Sequence, residues 1–123
     1  MAMGHVSRID TIFLPALDTG AAAAWYTSMF GMVEIFRSAG HIGLRFEGAS
    51  AKTTALTLVP VDVMPETAFV SFNFFTADPN ALHAALVEDG RTVTPINYNS
   101  GMSWFDFTDI AGNRVNVCHF PEA

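Results

Sequence analysis

The feature that most constrains the fold is an internal repeat that divides the chain into two similar halves. Asp18 precedes an alanine-rich segment that ends at Gly31, and Asp78 precedes a second segment that ends at Gly90. Asp is a preferred first residue of a helix and Gly a preferred last one, so each pair predicts the ends of one helix. Asp78 follows Asp18 by 60 positions, and Gly90 follows Gly31 by 59. The spacing indicates two copies of one module, with one residue lost inside the second helix.

Each predicted helix is flanked by segments typical of strands, so the module is predicted to be strand-helix-strand-strand-strand. The helices cover 19–30 and 79–89. Apolar and polar residues alternate in the flanking segments, as they do in half-buried strands. The predicted strands are 8–17, 32–38, 41–47 and 53–59 in the first half, and 68–76, 92–97, 103–108 and 114–120 in the second.

The last two predicted strands form a hairpin, because the turn 109–113 contains a Gly-Asn pair that tolerates positive φ angles. Side chains of a strand alternate between its two faces. On the return strand Val115 and Val117 therefore point to one face, while Asn116 and Cys118 point to the other. The second face is the one on which we look for function.

Composition excludes several classes of function. Six basic and twelve acidic residues give a net charge of -6, and the basic residues are scattered. Nucleic acid is therefore not an expected partner, since phosphate binding needs clustered basic residues. No apolar run reaches the roughly 18 residues of a membrane-spanning helix, so no membrane association is expected. The single cysteine excludes an internal disulfide framework. We expect a soluble, cytoplasmic protein.

Together these patterns predict an α+β protein with an open, curved mixed β-sheet. We expect residues 1–123 to form a single domain of two βαβββ modules, at about 8–60 and 68–120, joined by a proline-containing connector. One face of each small sheet is covered by its helix, and the other is open. Two such sheets side by side would form a concave groove, which is the usual place for a small ligand.

The order of elements and two motifs resemble the vicinal oxygen chelate superfamily, which includes glyoxalase I, bleomycin-resistance proteins and extradiol dioxygenases. Asp18 with Ala24-Trp25-Tyr26 and Phe30-Gly31 is similar to the pattern of the family's first helix. Residues 109–117 are similar to its hairpin pattern DPDGNxIEL. The resemblance covers nearly the whole chain, and it implies a glyoxalase/bleomycin-resistance-like fold and a homodimer.

Metal-using members of this superfamily bind a divalent ion through four side chains, one from the first and one from the last strand of each module. By position these ligands fall on Thr11 and Thr57 in the first module, and on Ser71 and Asn116 in the second. Such ions are bound by histidine and carboxylate, which supply a basic nitrogen or a negative charge. None of the four side chains does so. We therefore expect no metal and no other cofactor, and the resemblance favours metal-free binding or sequestration of a small molecule, as in the bleomycin-resistance branch.

The open faces are expected to present aromatic side chains beside neutral hydrogen-bonding groups, an arrangement that suits a planar or amphipathic small molecule. The excess of acid favours a cationic ligand or only aids solubility. The same aromatic residues could instead close a core or a subunit interface, and the faces presented by strands 92–97 and 103–108 stay open. The predicted ligand-binding residues are Thr11, Phe13, Thr57, Ser71, Asn73, Phe75, Trp104, Asn116 and Cys118.

Two other interpretations stay open. The first is an enzyme, either lyase or dioxygenase-like with displaced metal ligands, or a metal-independent isomerase that uses Cys118 or Asp106. Both residues also fit roles without catalysis, Cys118 as a small buried residue of the core and Asp106 as a solvated strand residue. The four histidines show no metal-binding spacing and fit structural roles. The second interpretation is a structural or regulatory dimer whose groove is filled by its own side chains.

Overall fold

The computed structural model describes residues 4–66, 69–70 and 72–122. The chain divides into two compact units, Met1–Met64 and Pro65–Ala123. In the described part of each unit there are one helix and one open, mixed sheet of four strands. This confirms the predicted α+β class and the repeated βαβββ order. The concave groove stays a prediction.

The first unit contains five elements. Its sheet has the strand order β1-β4-β3-β2, in which β1 is parallel to β4 and the other neighbours are antiparallel. The predicted bounds of the first helix and the following strand are confirmed. The elements are β1 (Thr11–Ala16), α1 (Thr19–Phe30), β2 (Met32–Ser38), β3 (His41–Phe46) and β4 (Ala55–Pro60).

Helix α1 begins and ends where the sequence predicts because both ends carry capping residues. The backbone N–H of Ala21 donates to Oδ1 of Asp18 at 2.9 Å. Gly31 adopts a φ of 71°, a left-handed conformation that glycine reaches at little cost. The helix contacts all four strands, and Tyr26 of the helix is fully buried, as are Leu14, Leu56 and Leu58 of the sheet. The buried face of the sheet is therefore the helix face, and the other face is available for a site.

The second unit repeats this topology. Its strand order is β5-β8-β7-β6, in which β5 is parallel to β8 and the other neighbours are antiparallel. Helix α2 is capped by Asp78, whose Oδ1 accepts from the N–H of Ala81 at 3.0 Å. Neither helix of the described residues is long and apolar enough to cross a membrane. The elements are β5 (Asn73–Phe75), α2 (Pro79–Glu88), β6 (Asn97–Asn99), β7 (Met102–Thr108) and β8 (Arg114–His119).

The predicted strand 92–97 is wrong in its bounds. Val93 forms an isolated bridge to Phe107, but the segment does not continue as a strand. Pro95 has no amide hydrogen and cannot donate to the sheet, and β6 begins only at Asn97. Of the predicted strand 68–76 the structure shows 73–75 as a strand, while residues 67, 68 and 71 lie outside the described residues.

The β7–β8 hairpin is confirmed, and its turn is organised by Asp109, which is 1% exposed. Oδ1 of Asp109 accepts from the N–H groups of Ala111 at 2.9 Å and of Asn113 at 2.8 Å. Gly112 has the positive φ expected of the turn, at 100°. Asn113 contributes differently, since its Nδ2 donates to Oδ2 of Asp109 at 3.2 Å.

Candidate functional site

One row of residues runs across all four strands on the open face of the first sheet. The register pairs Phe13 of β1 with Thr57 of β4. It then pairs Thr57 with Gly43 of β3, and Gly43 with Phe36 of β2. Aromatic residues thus stand at the two ends of the row, with small residues between them. Phe13 is 64% exposed and Phe36 is 44% exposed, so both rings are accessible.

The ring of Phe36 extends over the middle of this row. A β-carbon added at Gly43 would overlap the ring, so only glycine leaves room for it. The register of β2 shifts between Glu34 and Phe36, which makes Ile35 the extra residue of a β-bulge. Because of the bulge, two consecutive side chains, Ile35 and Phe36, line the same space.

A cavity of about 450 Å³ lies on this face, and we call it the first-unit cavity. Its volume is typical of a small-molecule pocket. Besides Phe13, Ile35 and Phe36, its lining includes Thr11, Thr57 and Arg45. The structure therefore brings together Thr11, Phe13 and Thr57, three of the residues that the sequence predicts to bind a ligand.

The hydroxyl groups of Thr11 and Thr57 are hydrogen-bonded to each other. Their Oγ1 atoms are 2.8 Å apart, and Oγ1 of Thr11 also lies 3.1 Å from the carbonyl oxygen of Ala55. When Thr11 donates to that carbonyl, Thr57 donates to Thr11. Zinc and the similar transition-metal ions in proteins are held mainly by carboxylate, imidazole or thiolate groups. Two neutral hydroxyls that hydrogen-bond each other do not fit such an ion.

The equivalent row of the second unit is polar. The register pairs Asn73 of β5 with Asn116 of β8, and Asn116 with Asp106 of β7. Asp106 therefore occupies the position that Gly43 holds in the first unit. A cavity of about 490 Å³, the second-unit cavity, lies over this row. It is lined by Val70, Phe72, Asn73, Trp104, Asp106 and Asn116.

Asp106 and Asn116 hold each other in place. Nδ2 of Asn116 donates to Oδ1 of Asp106 at 2.8 Å, and it lies 3.3 Å from the carbonyl oxygen of Phe105. Arg114 donates to Oδ2 of Asp106 through Nε at 2.9 Å and through Nη2 at 2.7 Å. Both carboxylate oxygens of this weak catalytic candidate are therefore engaged, and a general-base role would require a bond to break.

The three described positions among the four expected metal ligands do not fit a transition-metal ion. Asn116 directs its amide N–H groups at protein acceptors, and its Oδ1 lies 3.4 Å from Nδ2 of Asn73. Ser71, the fourth position, lies outside the described residues. Within the described part of the chain, no three His, Cys, Asp or Glu side chains form a group that could hold a metal ion.

Cys118 and Phe75 are not among the described residues that line the second-unit cavity. Cys118 is buried, and burial raises the pKa of its thiol. A thiol protonated at neutral pH is a poor nucleophile, which disfavours a catalytic role. Phe75 is 42% exposed and packs edge-on against Phe120, with ring centroids 5.0 Å apart. Of the residues predicted for this unit, Asn73, Trp104 and Asn116 are the ones that line the cavity.

Sequence reasoning missed Phe36, Arg45 and His41, all of which line the first-unit cavity. A signal for Phe36 was available, because a glycine in the interior of a strand often marks the close approach of another group. Gly43 is such a residue, in the middle of β3. No comparable signal in the sequence places Arg45 or His41 at a cavity.

Several solved structures are similar to the chain over almost its whole length. An antibiotic-binding protein from a Streptomyces species is 22% identical to this chain and has a TM-score of 0.78. The match covers 95% of this chain and 98% of the Streptomyces protein. A glyoxalase/bleomycin resistance protein/dioxygenase superfamily member from Sphaerobacter thermophilus is 18% identical, with coverage of 93% and 98% and a TM-score of 0.77. A glyoxalase/dioxygenase from Nostoc punctiforme is 14% identical, with coverage of 99% and 97% and a TM-score of 0.74.

No protein-family model matches the chain, and no curated protein sequence does. The likeness to solved structures, at these low identities, concerns the fold, and a fold by itself does not define an activity. The strand order of both units, the two capped helices and these neighbours agree with one another. The chain has the vicinal oxygen chelate fold shared by glyoxalases, bleomycin-resistance proteins and dioxygenases.

Proposed function

We propose that the protein binds a planar, partly apolar small molecule in the first-unit cavity, without a metal ion and without changing it chemically. The row from Phe13 through Thr57 and Gly43 to Phe36 is the observation that carries this proposal. Exposed aromatic rings bury large apolar areas when a flat ligand stacks on them, and ring pairs add about 0.5–1.5 kcal/mol beyond that burial. The small residues between the rings leave space for the ligand.

The second-unit cavity is a weaker candidate for an aromatic ligand. Its row places Asn73, Asn116 and Asp106 where the first unit has Phe13, Thr57 and Gly43. These polar groups already hydrogen-bond one another, so an apolar ring placed over them would remove them from water without a new partner. The apolar residues of its lining, Val70, Phe72 and Trp104, lie outside this row.

Two further facts support binding without catalysis. A protein of the same fold, from a Streptomyces species, is an antibiotic-binding protein, so this fold is used for binding elsewhere. The described side chains at the metal positions of the fold are a pair of bonded threonines and a bonded asparagine. The alternative, a lyase or dioxygenase-like enzyme, needs a metal bound through other residues, and it predicts turnover that EDTA abolishes.

Calorimetric titration with neutral two-ring and three-ring aromatic compounds tests the proposal, with 2-naphthamide as the reference probe. Phe13→Ala and Phe36→Ala should each weaken binding about tenfold, which corresponds to 1.4 kcal/mol. Phe75→Ala is the matched control, since Phe75 is 42% exposed, close to the 44% of Phe36, but lies in the other unit. The proposal is wrong if none of these compounds binds, or if Phe75→Ala weakens binding as much as the two cavity variants.

Metal analysis tests the metal-free part of the proposal. Protein purified without a chelator should contain no stoichiometric divalent ion, and EDTA should leave the affinity for 2-naphthamide unchanged. A stoichiometric ion would favour the enzymatic alternative. The homodimer that the family resemblance implies is a separate prediction, which light scattering of the purified protein tests.

A further inference from the structure

Arg45 lies on the same face of the first sheet as the aromatic row. It follows Gly43 by two positions on β3, and side chains two positions apart in a strand point to the same side. Its side chain lines the first-unit cavity and is half-buried. The guanidinium therefore stands beside the row, one residue pair further along the strand.

One hydrogen bond fixes the guanidinium and leaves most of its donors unused. Nε of Arg45 donates to the carbonyl oxygen of Thr53 at 3.0 Å. The two Nη groups carry four N–H donors, and they have no hydrogen-bond or ion-pair partner within the described ranges 4–66, 69–70 and 72–122. The group is held in position but is not saturated.

The lack of a carboxylate partner among the described residues distinguishes Arg45 from the other arginines of the chain. Each of the other four pairs with a carboxylate, namely Arg8 with Asp10, Arg37 with Glu34, Arg91 with Asp89 and Arg114 with Asp106. The chain has twice as many acidic as basic residues, twelve against six, so partners are abundant. Arg45 nevertheless forms no ion pair with any described residue, and its side chain lines a cavity.

The other charges at the cavity do not cancel that of Arg45. Asp10 also lines the cavity, but its Oδ1 accepts from Nη2 of Arg8 at 3.2 Å, which balances its charge. His41 lines the cavity too, with Nδ1 3.4 Å from the carbonyl oxygen of Ala39. Arg8, Asp10 and Arg45 together therefore carry a net positive charge, although the whole chain is acidic.

We infer that the ligand of the first-unit cavity is an aromatic anion, whose carboxylate or similar planar anionic group is bound by the free Nη groups of Arg45. This inference rests on the proposed function, because it concerns the same cavity. The flat body of the ligand lies between Phe13 and Phe36, and its anionic group reaches Arg45. A guanidinium matches the geometry of a carboxylate with two parallel hydrogen bonds. The excess of acid in the whole chain favours a cationic ligand or only aids solubility, whereas the charges at the cavity favour an anionic ligand.

A series of three naphthalene probes of similar shape tests the inference by calorimetry: 2-naphthoate, 2-naphthamide and 2-naphthylmethylammonium. The wild-type protein should bind the carboxylate at least about tenfold more tightly than the amide, and the cation most weakly, as expected for a charge-assisted hydrogen bond. Raising the salt concentration should weaken binding of the carboxylate and leave that of the amide unchanged.

Arg45→Gln should reduce the ratio of carboxylate to amide affinity to about one, because it weakens binding of the carboxylate far more than binding of the amide. Arg114→Gln is the matched control, because it removes an arginine from the second unit and should leave the ratio unchanged. Arg45→Lys should give an intermediate ratio, since it keeps the charge but loses the planar fork, and it provides a second test if Arg45→Gln does not fold.

The outcomes separate this inference from the proposed function. Equal affinities for carboxylate and amide in the wild type, or an unchanged ratio in Arg45→Gln, would overturn the anion preference and leave the binding function standing. A ratio lost equally in Arg114→Gln would also overturn it. Failure of all three probes to bind would overturn both proposals.

Discussion

The ring of Phe36 occupies the space above Gly43 in which a β-carbon would stand. Gly43→Ala should therefore push the ring out of the row or force the strand to shift. Overpacking of this kind costs about 1–3 kcal/mol, which urea denaturation can measure. Gly20→Ala is the matched control, because Gly20 lies in α1 and the nearest atom to an added β-carbon is 3.5 Å away. It should leave the stability unchanged or raise it.

The same contact makes a second, more specific prediction. If the loss in Gly43→Ala comes from the collision, then adding Phe36→Ala to it should recover part of the stability, because the ring that collides is gone. Each change alone and the two together form a double-mutant cycle. Additive losses would show that the ring does not press on Gly43.

The turn at Asp109 predicts a large effect of a single side chain on folding. Asp109→Ala removes the acceptor of the Ala111 and Asn113 N–H groups, and Asn113 is itself buried. Leaving buried donors without a partner costs about 1–3 kcal/mol for each group. We expect a marked drop in the midpoint of urea denaturation, while Asp62→Ala, at an exposed position, should change little. Similar stabilities of the two variants would contradict the role of the turn.

The repeat predicts that the two helix caps are equivalent. Oδ1 of Asp18 accepts from Ala21 at 2.9 Å, and Oδ1 of Asp78 accepts from Ala81 at 3.0 Å. Asp18→Ala and Asp78→Ala should each lower the free energy of unfolding by about 1 kcal/mol. Asp18→Asn and Asp78→Asn keep the acceptor and should lose much less. Thermal denaturation measures both pairs, and a cap variant as stable as the wild type would contradict its structural role.

Burial of Cys118 predicts how stability changes at alkaline pH. Burial raises the pKa of the thiol in the folded protein, whereas in the unfolded chain it ionises at about 8.5. The folded state therefore holds its proton to higher pH than the unfolded state does. The contribution of this thiol to stability is therefore fully present below the pKa of the unfolded chain. It is lost as the pH rises toward the pKa of the folded protein. Cys118→Ala should lose this part of the pH dependence in urea denaturation between pH 7 and 10.

Labelling with a thiol reagent gives an independent check on Cys118. The native protein should react much more slowly at neutral pH than the unfolded protein, because the thiol is buried and protonated. Native labelling as fast as that of a free thiol would reopen the catalytic interpretation of this residue.

The sequence was sufficient for features whose determinants are local. The bounds of α1 follow from Asp18 and Gly31, and alternation placed Asn116 on the face opposite the buried Val115 and Val117. The prediction of a strand over 92–97 was wrong because it rested on alternation alone. Pro95 lacks an amide hydrogen, which ends the strand pairing there. A proline inside a short alternating segment is therefore evidence against a continuous strand there.

The candidate site was only partly predictable because its rows depend on pairing between distant segments. Phe13 and Thr57 are 44 positions apart and meet only because β1 and β4 pair in parallel. The bulge at Ile35 then changes which side chains of β2 share a face, and simple alternation does not include it. The free donors of Arg45 depend on which carboxylates lie elsewhere, and sequence alone does not tell this.

The strand order also limits the dimensions of a ligand. Phe13 and Phe36 stand on the outer strands of a four-stranded sheet, and neighbouring strands lie about 4.8 Å apart, so their backbones are roughly 14 Å apart. The inward ring of Phe36 narrows this gap further. The backbone therefore sets a maximum breadth for any flat molecule lying across the sheet. The strand spacing therefore excludes ligands that are too broad, whatever their chemistry. Chemically different compounds of the same breadth all fit within it.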